Sequence, residues 1–328
     1  MNVSIIALGN WGTALGNYLA QRGHQVLGWS NEEAVVTSIN KTHRNTKYLQ
    51  DIELNKNFKA TSILKDALSA PVVLLAFPSA GLATLLPKLT FQPHAIVVSA
   101  IKGFESETLM TPLQYLSSKV TTPIRPVVFS GPSFAKDIVR GNPAGVVAAS
   151  KDEGAARELA TIFSGGAIKV YLSDDPLGVE IGGAVKNVIA LGVGVCDGLA
   201  LGDSARAGLI TRGLAEMIRL GVCMGADART LSGLSGLGDL VMTATCDTSR
   251  NRCAGLLLAK GHTVPQILNE IGSAIEGIHT TPLVLRLARQ YGIEMPITEQ
   301  MAKLLNGEVS ASDAARALIT RPIKKESD

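Results

Sequence analysis

The chemistry in this sequence starts with a lysine in costly surroundings. Lys186 and its neighbour Asn187 lie within Glu180-Ile181-Gly182-Gly183-Ala184-Val185-Lys186-Asn187-Val188, among small and apolar residues. Burial penalises the charged form of an amine. Such a lysine either snorkels to water as a structural group or trades a proton with a substrate alcohol or carbonyl oxygen. Three other clusters set polar groups in glycine-rich or strand-end contexts. Ser99-Ala100-Ile101-Lys102-Gly103 ends a strand pattern, so Lys102 is either a solvated loop lysine or faces a ligand edge. In Ser130-Gly131-Pro132-Ser133-Phe134-Ala135, Ser133 is either a helix N-cap or a hydroxyl offered to a phosphate. Glycines surround Asp239 in Gly233-Leu234-Ser235-Gly236-Leu237-Gly238-Asp239-Leu240, where it caps a helix or accepts from a lysine or hydroxyl. Further on, Ser249-Arg250-Asn251-Arg252 opens a helix pattern. A guanidinium fork beside a helix terminus suits a phosphate, a surface ion pair being the plainer role for Arg250. One proton-trading lysine, orienting Asp and Asn groups and a phosphate grip together describe reversible reduction of a ketone on a small phosphorylated molecule, with a nicotinamide carrying the hydride.

The elements that would position these groups fall into two kinds. Ile5-Ile6-Ala7-Leu8-Gly9-Asn10-Trp11-Gly12-Thr13-Ala14-Leu15 reads as a buried strand, a tight turn and a helix whose first turn lacks bulky side chains. This is either an ordinary strand-to-helix turn or a dinucleotide-binding turn, with Ala7 at the first fingerprint position. Strand patterns follow at Gln25–Trp29, Val72–Phe77, Ala95–Ser99, Pro126–Ser130, Gly145–Ala149 and Lys169–Leu172, separated by helical segments such as Ser133–Val139 and Ala155–Phe163. The stretch 42–59 reads as polar and irregular, with a short strand at its end. Continuously apolar strands separated by helices predict a doubly wound parallel sheet, covered on both faces. From Pro176 onward helix periodicity alone remains, with helices at Ala207–Met224, Asn251–Ala259, Val264–Ile271, Thr281–Tyr291, Ile297–Leu305 and Ser312–Ile319. The expected domains are 1–175, dinucleotide-binding, and 176–328, a helical substrate-binding and catalytic domain.

Composition bounds the function classes. The 328 residues are 46% hydrophobic and 18% charged, which fits a folded chain with a large core. A formal net charge of +3 argues against a nucleic-acid partner but permits a positive cleft for a phosphorylated metabolite. Cys196, Cys223, Cys246 and Cys253 form no C-x-x-C pair, and the histidines show no metal-ligand spacing. The apolar run from Ile181 to Cys196 reads as too short and too polar for a membrane span. Met1 leads directly into a strand pattern without a signal peptide, so a cytoplasmic protein is expected.

The ordered clusters carry a resemblance. Gly9-Asn10-Trp11-Gly12-Thr13-Ala14-Leu15, Lys102-Gly103, Ser130 to Ala135, Ala184 to Val188, Leu209-Ile210-Thr211-Arg212-Gly213-Leu214-Ala215-Glu216-Met217, Gly233 to Leu240 and Ser249-Arg250-Asn251 closely resemble, in that order and over nearly the full length, the bacterial-type NAD(P)-dependent glycerol-3-phosphate dehydrogenases. The resemblance implies a Rossmann-like α/β domain followed by an all-α domain, usually in a homodimer. It implies interconversion of dihydroxyacetone phosphate and sn-glycerol 3-phosphate for glycerophospholipid synthesis. It assigns the proton acceptor in the oxidative direction to Lys186. By the same carry-over Lys102, Gly131, Ser133, Asp239, Ser249, Arg250 and Asn251 contact the substrate, and Asn187 and Thr243 are substrate-side polar positions. Gly9 and Gly12 with Asn10, Trp11, Asn31, Lys102, Ala135, Arg250, Ala274 and Glu276 fall to the cofactor, NAD or NADP. Departures from the family pattern are Ala7, Asn31 where many members carry a basic residue beside the 2′-phosphate of NADP, and Arg206 in Gly202-Asp203-Ser204-Ala205-Arg206. Glu32 stands one step beyond the position that grips the ribose of NAD. A hydroxyacid dehydrogenase of the same layout and a catalytically silent NAD-binding sensor are the competing readings.

Overall fold

The computed structural model describes residues 1–323, 325 and 326. The chain divides into two compact units, the first ending at Glu180 and the second beginning at Ile181. In the first unit the order is β1 (Asn2–Ile6), α1 (Asn10–Gln21), β2 (Gln25–Trp29), α2 (Glu33–Thr42), β3 (Phe58–Thr61), α3 (Leu64–Ala67), β4 (Val72–Leu75), α4 (Leu82–Leu85), β5 (Ile96–Ser99), α5 (Pro112–Lys119), β6 (Arg125–Ser130), α6 (Ala135–Val139), β7 (Ala144–Ala149), α7 (Glu153–Phe163) and β8 (Ile168–Ser173). Among the described residues the strands form one eight-stranded sheet, ordered β3-β2-β1-β4-β5-β6-β7-β8. The central strands are buried along their whole length because both faces are covered. Alternation sends Ile5, Leu74 and Val98 into one core with Leu15, Leu19 and Phe163, and sends Ile6, Leu75 and Val97 into the other with Leu82 and Leu116. Strand order reverses between β1 and β4, the point at which such sheets bind ligands beyond their strand ends.

Two sequence expectations are corrected here. The sheet is not parallel throughout, since β7 pairs antiparallel with β6. The helix between them, α6, has five residues. Its rise of about 7 Å cannot return the chain along a six-residue strand of roughly 20 Å. The second correction is α2, which the sequence reading omits. Its inward face consists of only Val35, Val36 and Ile39, too few to show a helical period.

The division between the units falls inside α8 (Pro176–Gly198). After it come α9 (Asp203–Cys223), α10 (Ala228–Leu231), α11 (Asp239–Thr245), α12 (Arg250–Ala259), α13 (Val264–Ile271), α14 (Glu276–Gln290), α15 (Pro296–Leu305) and α16 (Ala311–Ile319). The expected helices are present; four start within one residue of the expected position, and α9 starts four residues earlier. The largest extension is in α14, which begins at Glu276 and continues through Pro282, although a proline normally stays within a helix's first turn. Excluding a membrane span at 181–196 by its length does not hold. The helix runs for 23 residues, and its most apolar 18-residue window has a mean hydropathy of 1.5. That window is entirely buried, as in a core helix.

Glycines in α8 set how closely its neighbours approach. A Cβ on Gly194 would lie 2.1 Å from the Arg252 carbonyl oxygen, and one on Gly255 would lie 2.1 Å from that of Leu191. Backbone therefore packs on backbone where α8 meets α12. Each helical glycine costs about 1 kcal/mol against alanine, and this contact is what the cost permits.

Candidate active site

Lys186 lies one turn beyond Gly182 on α8, so the two share a face. A Cβ on Gly182 would come within 2.8 Å of the Ser235 carbonyl oxygen. Its absence lets the wide helical turn Leu234–Gly238 press against α8, and this turn delivers Asp239 as the first residue of α11. Lys186 Nζ donates to Asp239 Oδ1 at 2.7 Å and to Thr243 Oγ1 at 2.6 Å. Thr243, one turn after Asp239, also donates to Asp239 Oδ1 at 3.2 Å. The lysine side chain is 6% exposed and the aspartate 0%. A buried ammonium is tenable only with a paired carboxylate, and this pair supplies one. Asp239 therefore serves the lysine and is not the cap of its helix; Gly238 holds the N-cap position.

The neighbouring amides form a chain. Asn187 donates to the Gly183 carbonyl at 3.3 Å and accepts from Asn251 Nδ2 at 2.8 Å. Asn251 Oδ1 accepts the Gly277 N–H at 2.8 Å at the start of α14. Ser249 caps α12, its hydroxyl accepting the Arg252 N–H at 3.3 Å. Arg250, the first residue of α12, is exposed and donates to the Ala274 carbonyl at 2.8 Å. The Glu276 carboxylate acts on it electrostatically. One group in the second unit thus holds Lys186, Asp239 and Thr243, the adjoining amide chain holds Asn187 and Asn251, Ser249 caps α12 beside Asn251, and another group joins Arg250 to Ala274 and Glu276.

Sequence reading missed what holds α12 in place. Asp197 accepts from Arg206 Nε at 2.7 Å and from Arg252 Nε at 2.8 Å, and Arg252 also pairs with Asp247 at 2.8 Å. The fork of Arg206, a departure from the family pattern, is used on Asp197 and Asp203.

In the first unit, Lys102 and Gly131 follow the adjacent parallel strands β5 and β6. Lys102 Nζ donates to the Gly131 carbonyl at 3.4 Å, and Ser133 Oγ donates to the same oxygen at 3.0 Å. Of the two readings of Ser133, the N-cap is not observed. Phe134 occupies that position, and Ala135 opens α6. Gly131 has φ +153°, and a Cβ there would lie 2.8 Å from the Gly145 carbonyl oxygen.

The turn after β1 fits a dinucleotide. Ala7 adopts φ +79° and donates its N–H to the Trp29 carbonyl at 3.0 Å. A Cβ on Gly12 would sit 2.1 Å from the Ala7 carbonyl oxygen, so only glycine lets α1 start this close to β1. Gly9 is the N-cap of α1 without a side-chain cap, and nothing lies within 4 Å of where its Cβ would be. Open space faces first-turn N–H groups and the positive helix end, which is a fit for a diphosphate. Asn10 and Trp11 open the helix, Asn10 exposed and Trp11 half-buried. Asn31 is exposed just beyond β2.

An α/β unit with this turn, followed by a helical unit that buries one lysine on one aspartate, defines a pyridine-nucleotide dehydrogenase. Residues 2–156 match the family model of the NAD-dependent glycerol-3-phosphate dehydrogenase N-terminus, and residues 175–316 match that of its C-terminus. The chain is 42% identical to the glycerol-3-phosphate dehydrogenase [NAD(P)+] of Desulfovibrio desulfuricans, with 99% of each chain covered. It is 43% identical to that of Trichlorobacter lovleyi, again over 99% of each. The crystal structure of glycerol-3-phosphate dehydrogenase from Coxiella burnetii superposes with a TM-score of 0.93 at 35% identity, covering 98% of this chain and 99% of that one. The chain belongs to the NAD-dependent glycerol-3-phosphate dehydrogenase family.

Proposed function

We propose that the protein interconverts dihydroxyacetone phosphate and sn-glycerol 3-phosphate, with Lys186 as the group that exchanges the proton. The observation that carries this reading is the buried Lys186–Asp239–Thr243 centre. In the reductive direction the Lys186 ammonium donates a proton to the ketone oxygen as negative charge develops there. Asp239 and Thr243 hold Nζ in place, so that little reorganisation accompanies the transfer. In the oxidative direction the neutral amine takes the hydroxyl proton. A bound nicotinamide would supply or accept the hydride. Gly9, Asn10, Trp11 and Gly12 bind the dinucleotide, joined by Ala135, Ala274 and Glu276. The phosphate of the substrate falls to Ser249 and Arg250 at the α12 N-terminus, and Lys102, Gly131 and Ser133 contribute further substrate contacts. Asn187 and Asn251 keep that end of α12 against α8.

The resemblance supports a cytoplasmic homodimer that feeds glycerophospholipid synthesis. The test mixes purified protein with dihydroxyacetone phosphate and NADH or NADPH and follows the loss of absorbance. The expected result is oxidation dependent on the triose phosphate and absent with 2-ketoacids. No oxidation with either cofactor, in folded protein, would remove the reading.

A further inference from the structure

The adenosine-ribose end of the cofactor site is where this chain departs most from a simple pattern. Glu32 stands one step beyond the usual strand-end position, yet twenty residues after Gly12, close to the interval of about 20 at which an acidic side chain meets the ribose hydroxyls in dinucleotide-binding sheets. It does not stand alone. Its Oε1 accepts the Tyr48 hydroxyl at 2.6 Å, and its Oε2 pairs with the Lys47 ammonium. Lys47 is 57% exposed and Glu32 is 32% exposed, so the pair lies open to a ligand. The segment carrying Lys47 and Tyr48 is anchored to the dinucleotide turn itself. Fully buried Asn45 donates to the Leu8 carbonyl at 2.9 Å and to Thr13 Oγ1 at 2.8 Å, and its Oδ1 accepts the Tyr48 N–H at 3.2 Å. The stretch that reads as irregular in the sequence is therefore built onto the turn and braces one carboxylate.

We propose that the braced Glu32, with Lys47 and Tyr48, makes this site select an unphosphorylated adenosine ribose, and so NAD(H) over NADP(H). The proposal rests on the dehydrogenase reading above and settles which cofactor that reading takes. A carboxylate has about four lone-pair directions. Tyr48 and Lys47 take one on each oxygen, which leaves one on each for the vicinal 2′- and 3′-hydroxyls of a ribose. The same two donors keep Glu32 ionised, its acidity raised first by Lys47 and then by Tyr48. A 2′-phosphate would bring its negative charge against that carboxylate. The Lys47 charge is already paired with Glu32, which makes it a weaker partner for the phosphate, and Asn31 offers no cation.

The experiment uses the purified full chain and two probes without a nicotinamide, ADP-ribose and 2′-phospho-ADP-ribose, titrated by calorimetry beside a triose-phosphate activity assay. The wild type is expected to bind ADP-ribose at least about tenfold more tightly. Glu32→Gln keeps the acceptor for Tyr48, removes the charge and releases Lys47. It is expected to move the ratio at least about tenfold towards the phosphorylated probe. Adding Lys47→Ala to that variant is expected to cancel the gain. Equal affinities in the wild type, or a ratio unmoved by Glu32→Gln, would overturn the proposal. If neither probe binds while dihydroxyacetone phosphate is still reduced, the ribose site is wrong and the activity stands; if both fail, the activity reading fails with it.

Discussion

At the scale of single residues, several groups are held where their chemistry is costly. Ala7 is the plainest case. Its φ of +79° lies where an L side chain is strained, and its N–H is tied to Trp29. The turn keeps a glycine's conformation without a glycine. Ala7→Gly is expected to raise the unfolding free energy by about 0.5–1 kcal/mol, because relief of strain exceeds the added freedom of the unfolded chain. Urea unfolding of the two proteins measures it, and a less stable variant would contradict it. Lys186 and Asp239 were legible because charges stood out among Gly, Ala, Val and Leu. That Asp239 accepts from a lysine was one of its sequence readings; the bond itself, across 53 residues, is encoded by nothing local and is seen only in the structure. Asn45 was invisible for a related reason. Its partners are the Leu8 carbonyl, the Thr13 hydroxyl and the Tyr48 N–H, and a polar residue in a polar stretch gives no sign of being fully buried.

At the scale of elements, helices are pinned end to side by carboxylates that burial makes reluctant to ionise. Glu216 on α9 accepts the N–H groups of Ile297 and Thr298, at 2.5 and 3.2 Å, and the Thr298 hydroxyl at 2.9 Å, at the start of α15. Burial outweighs those bonds and pushes its pKa up to about 7. Glu180 accepts the Leu113 N–H of α5 at 2.8 Å and is likewise pushed up by burial to about 7. The native state holds these protons more tightly than the unfolded chain does. The stabilisation is complete below the ordinary carboxyl value of 4.5 and is lost as pH rises through about 7. The wild type should lose up to about 3 kcal/mol per carboxyl across that window. Glu216→Gln, which cannot ionise, should lose roughly half as much in total as the wild type. Urea midpoints from pH 5 to 8 test this, and parallel curves would refute it. Elements with long apolar patterns, such as β4, β5 and α8, were readable in sequence. The reversal of β7 and the start of α14 ahead of Pro282 were not, because the first depends on the length of a connection and the second on packing that overrides a helix breaker.

At the scale of the whole molecule, the sheet unit carries the turn proposed to bind the dinucleotide and the helical unit carries Lys186, the lysine proposed to exchange the proton. The family and the order of the two units were legible because the polar clusters recur in one fixed sequence from Gly9 to Asn251. The proposed homodimer predicts that light scattering across a size-exclusion peak gives about twice the 34.4 kDa chain mass; a single-chain mass at micromolar concentration would contradict it. The most direct test of the central claim is the turnover of Lys186→Ala with dihydroxyacetone phosphate and NADH, in protein whose circular dichroism and NADH-binding fluorescence match the wild type. Loss of a positioned acid–base group should lower kcat by about 10²–10⁴-fold while leaving the NADH affinity unchanged. Near-normal turnover in that variant would show that Lys186 does not exchange the proton.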